Sequence, residues 1–222
     1  AKSLRKWFGG RITDISKECS LLRQVKAKKE VDYLKKSCSH ADRIIKKCIA
    51  DFGDFRTESD AAAFLAYETK KSGLELSFNP IVASGKNAAV PHYCTNKTKK
   101  IRRGEMLLLD FGAQVNGYHA DMSRTIFLGK ATPRFKKIYR LILAAQEKTI
   151  AALRAGMSGK AADTIARTSL ARAGFKKEFA HGTGHGVGLQ IHEAPRLSPL
   201  TKDTLAVSNV LTVEPGLYYS EW

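Results

Sequence analysis

Two strand-like runs with a turn between them predict a β-hairpin. Residues 107–112 (LLLDFG) have the composition of a buried strand, and residues 118–126 favour a second one. The dipeptide Asn116-Gly117 between them is typical of a two-residue hairpin turn. That turn pairs residue 110 with residue 123 and residue 112 with residue 121.

This register brings two carboxylates together. Asp110 and Asp121 become diagonal neighbours on one face, with Cα atoms about 7–8 Å apart. Asp110 also follows three leucines, and burying unpaired carboxylates costs several kcal/mol each, so a cation is expected between them. The alternative, a pair of surface turn aspartates, is less consistent with the apolar run before Asp110.

Histidines are concentrated near the C-terminal end of the chain. His181, His185 and His192 lie within twelve residues, in the segment HGTGHGVG and just after it. Glycine lets the backbone approach a ligand closely, so this cluster is a candidate binding segment. A phosphate-binding loop is discounted because the segment lacks the Gly-Lys-Ser/Thr ending and the preceding strand.

Glu214 supplies a further carboxylate at the end of the apolar run 211–213, directly before Pro-Gly. Together with Asp110, Asp121 and His185 it makes three carboxylates and one imidazole. This oxygen-rich donor set suits Mn²⁺ and accepts Co²⁺ or Zn²⁺.

Four helices are predicted to surround these segments. Apolar residues recur at helical spacing over residues 30–51, and Thr57 with Asp60 forms a capping box for a helix that Gly73 ends. Thr132-Pro133 starts a third helix running to about residue 156, and residues 158–174 form a fourth, from a serine cap to a glycine stop. Residues 77–92 favour short strands and loops. The chain is therefore an α/β or α+β domain.

Composition fits one large domain: 222 residues, 43% hydrophobic and 27% charged. The longest apolar runs are far shorter than the roughly 20 residues of a membrane span, and no signal sequence is visible, so a cytoplasmic protein is expected. The four cysteines (Cys19, Cys38, Cys48, Cys94) lack metal-site or disulfide spacing and are expected to be small buried residues.

The net charge is +17, with the basic excess concentrated in residues 1–47 and 130–178. Such an excess indicates either an anionic partner such as nucleic acid or a solvated helical surface. Aromatic residues are not interleaved with the basic ones, which favours the solvated surface.

From about Leu22 to Trp222 the chain closely resembles the pita-bread metallopeptidases, which include methionine aminopeptidases, Xaa-Pro aminopeptidases and Xaa-Pro dipeptidases. The resemblance implies an α+β fold with a curved antiparallel sheet covered by helices. The family's metal ligands follow the order Asp, Asp, His, Glu, Glu. The first four look like Asp110, Asp121, His185 and Glu214.

The remaining site residues are implied by the same resemblance. His92 resembles the family's active-site histidine, and His181 and His192 resemble its substrate-side histidines. Glu214 resembles the glutamate proposed as general base or proton shuttle. His92 and His192 would then stabilise the tetrahedral intermediate or protonate the leaving imino nitrogen.

Residues 79–85 (NPIVASG) and the HGTGHG run look like the Xaa-Pro branch. That branch implies an exopeptidase that hydrolyses the N-terminal X-Pro bond, with a hydroxide held by two divalent metal ions as the nucleophile. It also implies a peptide substrate with proline at the second position and a homo-oligomer, with no membrane and no specific nucleic-acid partner. The choice between aminopeptidase and dipeptidase stays open.

One departure from the family concerns the fifth ligand. A bridging Glu normally follows in a Gly-Val-Arg-Ile-Glu segment, whereas Glu221 stands in a context that does not match. Residues 1–25 are expected to be the end of an N-terminal domain or a linker, and residues 26–222 a catalytic domain truncated at its C-terminus, which alone would be inactive. The competing interpretation is a weak or inactive homologue that binds nucleic acid or protein; retention of four ligands favours the peptidase.

Overall fold

The computed structural model describes Trp7 and residues 12–219, and these form an α+β fold. The expectation for residues 1–25 lies partly outside the described residues, and Glu221 lies wholly outside them. The helices are α1 (Ser16–Gln24), α2 (Lys28–Ala50), α3 (Glu58–Lys71), α4 (Pro133–Ala152) and α5 (Gly159–Arg172). The strands are β1 (Glu75–Leu76), β2 (Ile81–Ser84), β3 (Met106–Phe111), β4 (Ala113–Val115), β5 (Tyr118–His119), β6 (Met122–Phe127), β7 (Gly184–Gly186) and β8 (Glu193–Leu197).

Local capping chemistry begins three of the helices where the sequence predicts. The side chain of Thr57 accepts a hydrogen bond from the N–H of Asp60, and the carboxylate of Asp60 accepts one from the N–H of Thr57. Together the two bonds form the capping box of α3. The side chains of Thr132 and Ser158 cap α4 and α5 in the same way. α4 ends at Ala152, four residues before the predicted end, because Leu153 adopts an extended conformation.

The predicted hairpin is present but divided between two sheets. Asp110 pairs with Ser123, as the Asn-Gly turn requires, and Asn116 and Gly117 both have positive φ. The expectation of two continuous strands was wrong. β3 pairs with both β2 and β6 in the order β2-β3-β6, while β4 pairs with both β1 and β5 in the order β1-β4-β5.

Alternation along β3 separates the core from a cleft. Leu107, Leu109 and Phe111 are fully buried against α2 and α3, and each such side chain contributes about 2 kcal/mol by leaving water. Leu108 and Asp110 point to the opposite face, where they line a cleft. The alternation of side chains along β3 therefore places Leu107 and Leu109 in the core and Asp110 in the cleft.

The other wall of the cleft is built from α4, which packs on α5 through a second core cluster. Ala145, Ala166, Leu170 and Phe179 form that cluster, and Ile142 packs against it while also lining the cleft. The cleft thus lies between the β2-β3-β6 sheet and α4.

Two features differ from the sequence expectations. α1 was not predicted, and it packs against β8 although none of its residues is buried. Cys48 is buried, but Cys19, Cys38 and Cys94 are exposed, so the expectation of four buried cysteines was wrong. All four are free thiols.

None of the helices described is long and apolar enough to cross a membrane.

Candidate active site

All seven residues predicted for the site line one cleft of about 990 Å³. They come from four separate stretches of chain: His92 from the loop after β2, Asp110 and Asp121 from the hairpin, the histidines from the segment around β7, and Glu214 from the segment that follows β8. The full set is His92, Asp110, Asp121, His181, His185, His192 and Glu214. The fold thus brings together side chains from His92 to Glu214, which are more than 120 residues apart in sequence.

His185 lies between two carboxylates. Its Nε2 is 3.4 Å from Oδ2 of Asp121 and 3.1 Å from Oε1 of Glu214. Burial alone would lower the pKa of His185, but the two carboxylates raise it to about 10. Glu214 responds in the opposite direction: burial would raise its pKa, and the bond from His185 lowers it.

Asp110 completes the acidic cluster. Burial, then the charges of Asp121 and Glu214, raise the pKa of Asp110 to about 7. Its Oδ1 is buried and has no hydrogen-bond partner among residues 12–219. A buried carboxylate oxygen without a donor is costly, which indicates that a cation completes the site.

The donor set fits divalent metal ions. Nδ1 of His185 lies 3.0 Å from the carbonyl oxygen of Gly186, so the tautomer with the proton on Nδ1 donates there and leaves Nε2 as a metal ligand. Asp110, Asp121 and Glu214 then supply oxygens. A ring nitrogen of His192 also lies within 4.8 Å of possible ligand atoms of Asp121 and His185. His192 is therefore close enough to join a metal site with them.

Backbone pairing brings His185 next to Glu214. The N–H of Thr212 donates to the carbonyl of His185 at 2.8 Å, and the N–H of Glu214 donates to the carbonyl of Thr183 at 2.8 Å. A Cβ on Gly184 would meet the carbonyl oxygen of Thr212 at 2.1 Å. This glycine therefore serves close packing of two chain segments, whereas the sequence suggested approach to a ligand.

An ion pair with a buried carboxylate holds the segment that carries His181. Asp163 on α5 accepts from Arg167 at 2.7 and 2.9 Å, and also from the N–H of Thr183 at 3.0 Å. Arg167 in turn donates to the carbonyl oxygens of Phe179 and His181. These contacts fix the backbone on both sides of His181.

The loop that carries His92 is anchored by a second buried carboxylate. Oε1 of Glu58 accepts from the N–H and hydroxyl of Ser84 and from Asn87, while Oε2 accepts from the hydroxyl of Tyr93 and the N–H of Asn96. Glu58 is fully buried. The loop between these donors presents His92 to the cleft with φ of 52°.

Sequence reasoning did not find Glu58, Asp163 or Arg167. Each lies in a helix among ordinary polar residues; the four-residue spacing of Asp163 and Arg167 is typical of a helical ion pair but does not indicate a site. The capping signal at Thr57 was the nearest available clue for Glu58, and it indicated only where a helix begins.

Comparison with known proteins bears on this site. The sequence model described as metallopeptidase family M24 matches residues 32–222. The chain belongs to metallopeptidase family M24. This assignment and the structural neighbours confirm the predicted pita-bread fold and the resemblance to the Xaa-Pro branch of the family.

Relatives of this M24 chain include proteins named Xaa-Pro dipeptidase, X-Pro aminopeptidase and prolidase. It is 37% identical over 209 residues to the Xaa-Pro dipeptidase of Pyrococcus furiosus, covering 94% of this chain and 59% of that protein. The X-Pro aminopeptidase structure from Thermotoga maritima MSB8 superposes with a TM-score of 0.92 at 33% identity, covering 99% and 63%. The prolidase structure from Pyrococcus furiosus gives 0.88 at 36%, covering 93% and 61%. The chain thus spans about three fifths of these relatives' length.

Proposed function

We propose that the protein is an exopeptidase that hydrolyses the bond between an N-terminal residue and proline, with two divalent metal ions, Mn²⁺ foremost, bound by Asp110, Asp121, His185 and Glu214. The observation that carries the proposal is the convergence of these four side chains at one point of a cleft whose walls carry three further histidines. When bound, the ions supply Lewis-acid polarisation of the scissile carbonyl and a nucleophilic water at neutral pH.

The chain's own residues supply proton transfer and orientation. Glu214 lies in the cleft with its Oε1 held by the hydroxyl of Thr212 at 3.1 Å, so its carboxylate is oriented to take a proton from the attacking water. His92 and His192 stand on separate loops around the cluster. From there they protonate the departing imino nitrogen or stabilise the developing oxyanion.

Proline itself fits the apolar part of the cleft. Ile142, Phe175 and Leu217 line it beyond the carboxylates, and Tyr218 packs edge-on against His181 with ring centroids 5.3 Å apart. A pyrrolidine ring fills apolar space that alanine would leave partly empty. Because a prolyl nitrogen carries no hydrogen, the site needs no acceptor for it.

The position of Arg196 in the cleft favours dipeptides over longer peptides as substrates. It lines the cleft from β8, its positive charge contributes to the lowered pKa of His192, and its side chain has no hydrogen-bond or ion-pair partner among the residues described. A guanidinium there is a natural partner for a free carboxylate. The α-carboxylate of an X-Pro dipeptide would place one close to the scissile bond, so dipeptides are the favoured substrate class.

The test compares peptides that differ at one position, using full-length protein loaded with Mn²⁺. Ala-Pro and Gly-Pro should be cleaved, Ala-Pro-Ala more slowly, and Ala-Ala or Met-Ala-Ala hardly at all. Arg196→Ala should raise KM for Ala-Pro about tenfold or more and leave the tripeptide unchanged, since only the dipeptide loses its carboxylate partner. Preference for Met-Ala-Ala would contradict the proposal.

Histidine variants separate catalysis from metal binding. His92→Ala and His192→Ala should each lower kcat by roughly 100-fold or more, with a much smaller effect on metal content. His40→Ala is the matched control, because His40 lies on α2 outside the cleft and, among the described residues, its side chain bonds only Arg43. Equal losses of kcat and bound metal would show that the histidines act as ligands rather than in proton transfer.

A further inference from the structure

The ring of His192 is held by its backbone and by one ring contact. It packs against His185 with ring centroids 4.4 Å apart, and no hydrogen bond to the ring exists within residues 12–219. His192 is also exposed to the cleft. Its place in the site therefore depends on whatever fixes the turn that ends at Glu193.

That turn is anchored from behind by a buried ion pair. Nζ of Lys26 bonds Oε1 of Glu193, and the two side chains are 0% and 6% exposed. The partners are 167 positions apart in sequence. Lysine and glutamate are almost never buried this completely unless they are paired, so each depends on the other to remain inside.

The carboxylate of Glu193 fits tightly against the turn. A Cβ on Gly188 would meet its two oxygens at 2.6 and 2.7 Å, and Oε2 also accepts from the N–H of Gln190 at 3.4 Å. Glu193 pairs with Gly186 across β7 and β8. Glu193 thus holds the segment that separates His185 from His192 twice, by backbone pairing with Gly186 and by carboxylate contacts with Gly188 and Gln190.

Lys26 is fixed independently of Glu193. Its N–H donates to the carbonyl of Ser208 at 3.1 Å, and Asn209 donates to the carbonyl of Gln24 at 2.8 Å. Lys26 Nζ also donates to the carbonyl of Gln24 at 3.3 Å. The segment between α1 and α2 is therefore tied to the fold and presents a fixed ammonium group to Glu193.

We infer that Lys26 and Glu193 are positioning residues that hold His192 in its catalytic place, so that the segment before α2 is part of the active-site apparatus. The inference rests on the proposed role of His192. Without its partner, a buried Glu193 carboxylate must reach water or rearrange, and either movement displaces the adjacent His192. Misplacement by about 1 Å can cost on the order of 100-fold in rate.

Kinetics of single and paired variants of the full-length, metal-loaded protein test this. Lys26→Met should lower kcat for Ala-Pro about 10- to 100-fold with bound metal unchanged. Lys26→Met/Glu193→Gln, which removes both charges, should recover much of the loss. The matched control is Lys28→Met, an exposed lysine two positions away.

A double-mutant cycle distinguishes positioning from general stability. In a His192→Ala background, Lys26→Met should lower kcat by less than about twofold, because the residue it positions is gone. An undiminished loss in that background, or loss of bound metal from Lys26→Met itself, would overturn the inference.

Histidine NMR decides the matter without relying on activity. The ring resonances of His192, assigned from the His192→Ala spectrum of the Zn²⁺-loaded protein, should shift or broaden in Lys26→Met, while those of His92 stay in place. Should Lys26→Met not fold, Glu193→Gln provides the same comparison. If the wild-type protein fails to cleave X-Pro peptides, the proposed function is wrong. The positioning role is rejected separately, by a His192 signal that is unchanged in Lys26→Met.

Discussion

Asp121 occupies the position in the acidic cluster from which it can serve two ions. Its Oδ2 lies 3.4 Å from the ligand nitrogen of His185, and its charge contributes to the raised pKa of Asp110. A carboxylate has two oxygens, so one such side chain can bind two ions. We therefore propose Asp121 as the ligand that would be shared by both ions.

Removing the carboxylate of Asp121 should reduce the binding of both ions. With full-length protein prepared in Mn²⁺, wild type should contain up to two ions per chain, and Asp121→Ala should lose both, as measured by elemental analysis. Asp54→Ala, at an exposed position in the turn after α2, is the control and should keep both. Retention of two ions by Asp121→Ala would remove Asp121 from the ligand set.

Residues with a local signal could be assigned from sequence, and residues defined by distant partners could not. Asp110 and Asp121 are linked by an eleven-residue step and a recognisable turn. Lys26 and Glu58 carry no such signal. Lys26 meets Glu193 across 167 positions, and the donors of Glu58 begin 26 positions away. Long-range pairing of this kind is decided by the fold.

At the scale of elements, the start of α2 is tied to the hairpin through Glu30. Its carboxylate pairs with Arg23 at the end of α1, accepts from the N–H of Ala27 at 2.8 Å and accepts from the hydroxyl of Tyr118 on β5 at 2.8 Å. Burial alone would raise the pKa of Glu30, but these donors lower it to about 2. One side chain thus joins three elements.

This lowered pKa predicts a pH dependence of stability. A carboxyl with a lower pKa in the folded chain stabilises the fold above its unfolded pKa of about 4.3, and that contribution is lost as pH falls towards 2. Glu30→Gln should therefore reduce the free energy of unfolding by about 2 kcal/mol at pH 6 and by less at pH 3.5. Urea unfolding at the two pH values measures both differences.

Glu147→Gln is the matched control, since Glu147 is exposed on α4 and has no ion pair among the described residues. Its effect should be small at both pH values. A Glu30→Gln deficit that stays constant from pH 6 to pH 3.5 would show that the charge of Glu30 does not stabilise these contacts.

Elements with strong periodicity or caps were predictable, and the division of the hairpin was not. The turn at Asn116-Gly117 fixed the register correctly. The sequence pattern does not show that β4 leaves the first sheet to pair with β1, because that change depends on where residues 75–76 lie. α1 was missed because no side-chain cap marks its start and none of its residues is buried.

For the whole molecule, the question is what the charge of +17 does. Exposed basic residues surround a shallow pocket at the start of α4: Lys130, Lys136, Lys137 and Arg140. Basic residues are also exposed along α2, including Lys35 and Lys36. The positive charge is therefore spread over separate helical surfaces, as expected for a solvated surface rather than for one nucleic-acid site.

A diffuse charge predicts weak and sequence-independent binding to DNA. Affinity measured by gel shift should fall steeply between about 50 mM and about 200 mM salt, because phosphate contacts release counterions. Lys136→Glu/Lys137→Glu and Lys35→Glu/Lys36→Glu each change the net charge by the same amount. If binding depends on overall charge, the two variants should weaken it to within about threefold of each other, whereas a defined site at the start of α4 would be sensitive to the first pair alone. Tight binding that persists in high salt and discriminates between sequences would contradict this prediction and favour a nucleic-acid-binding role beside the peptidase.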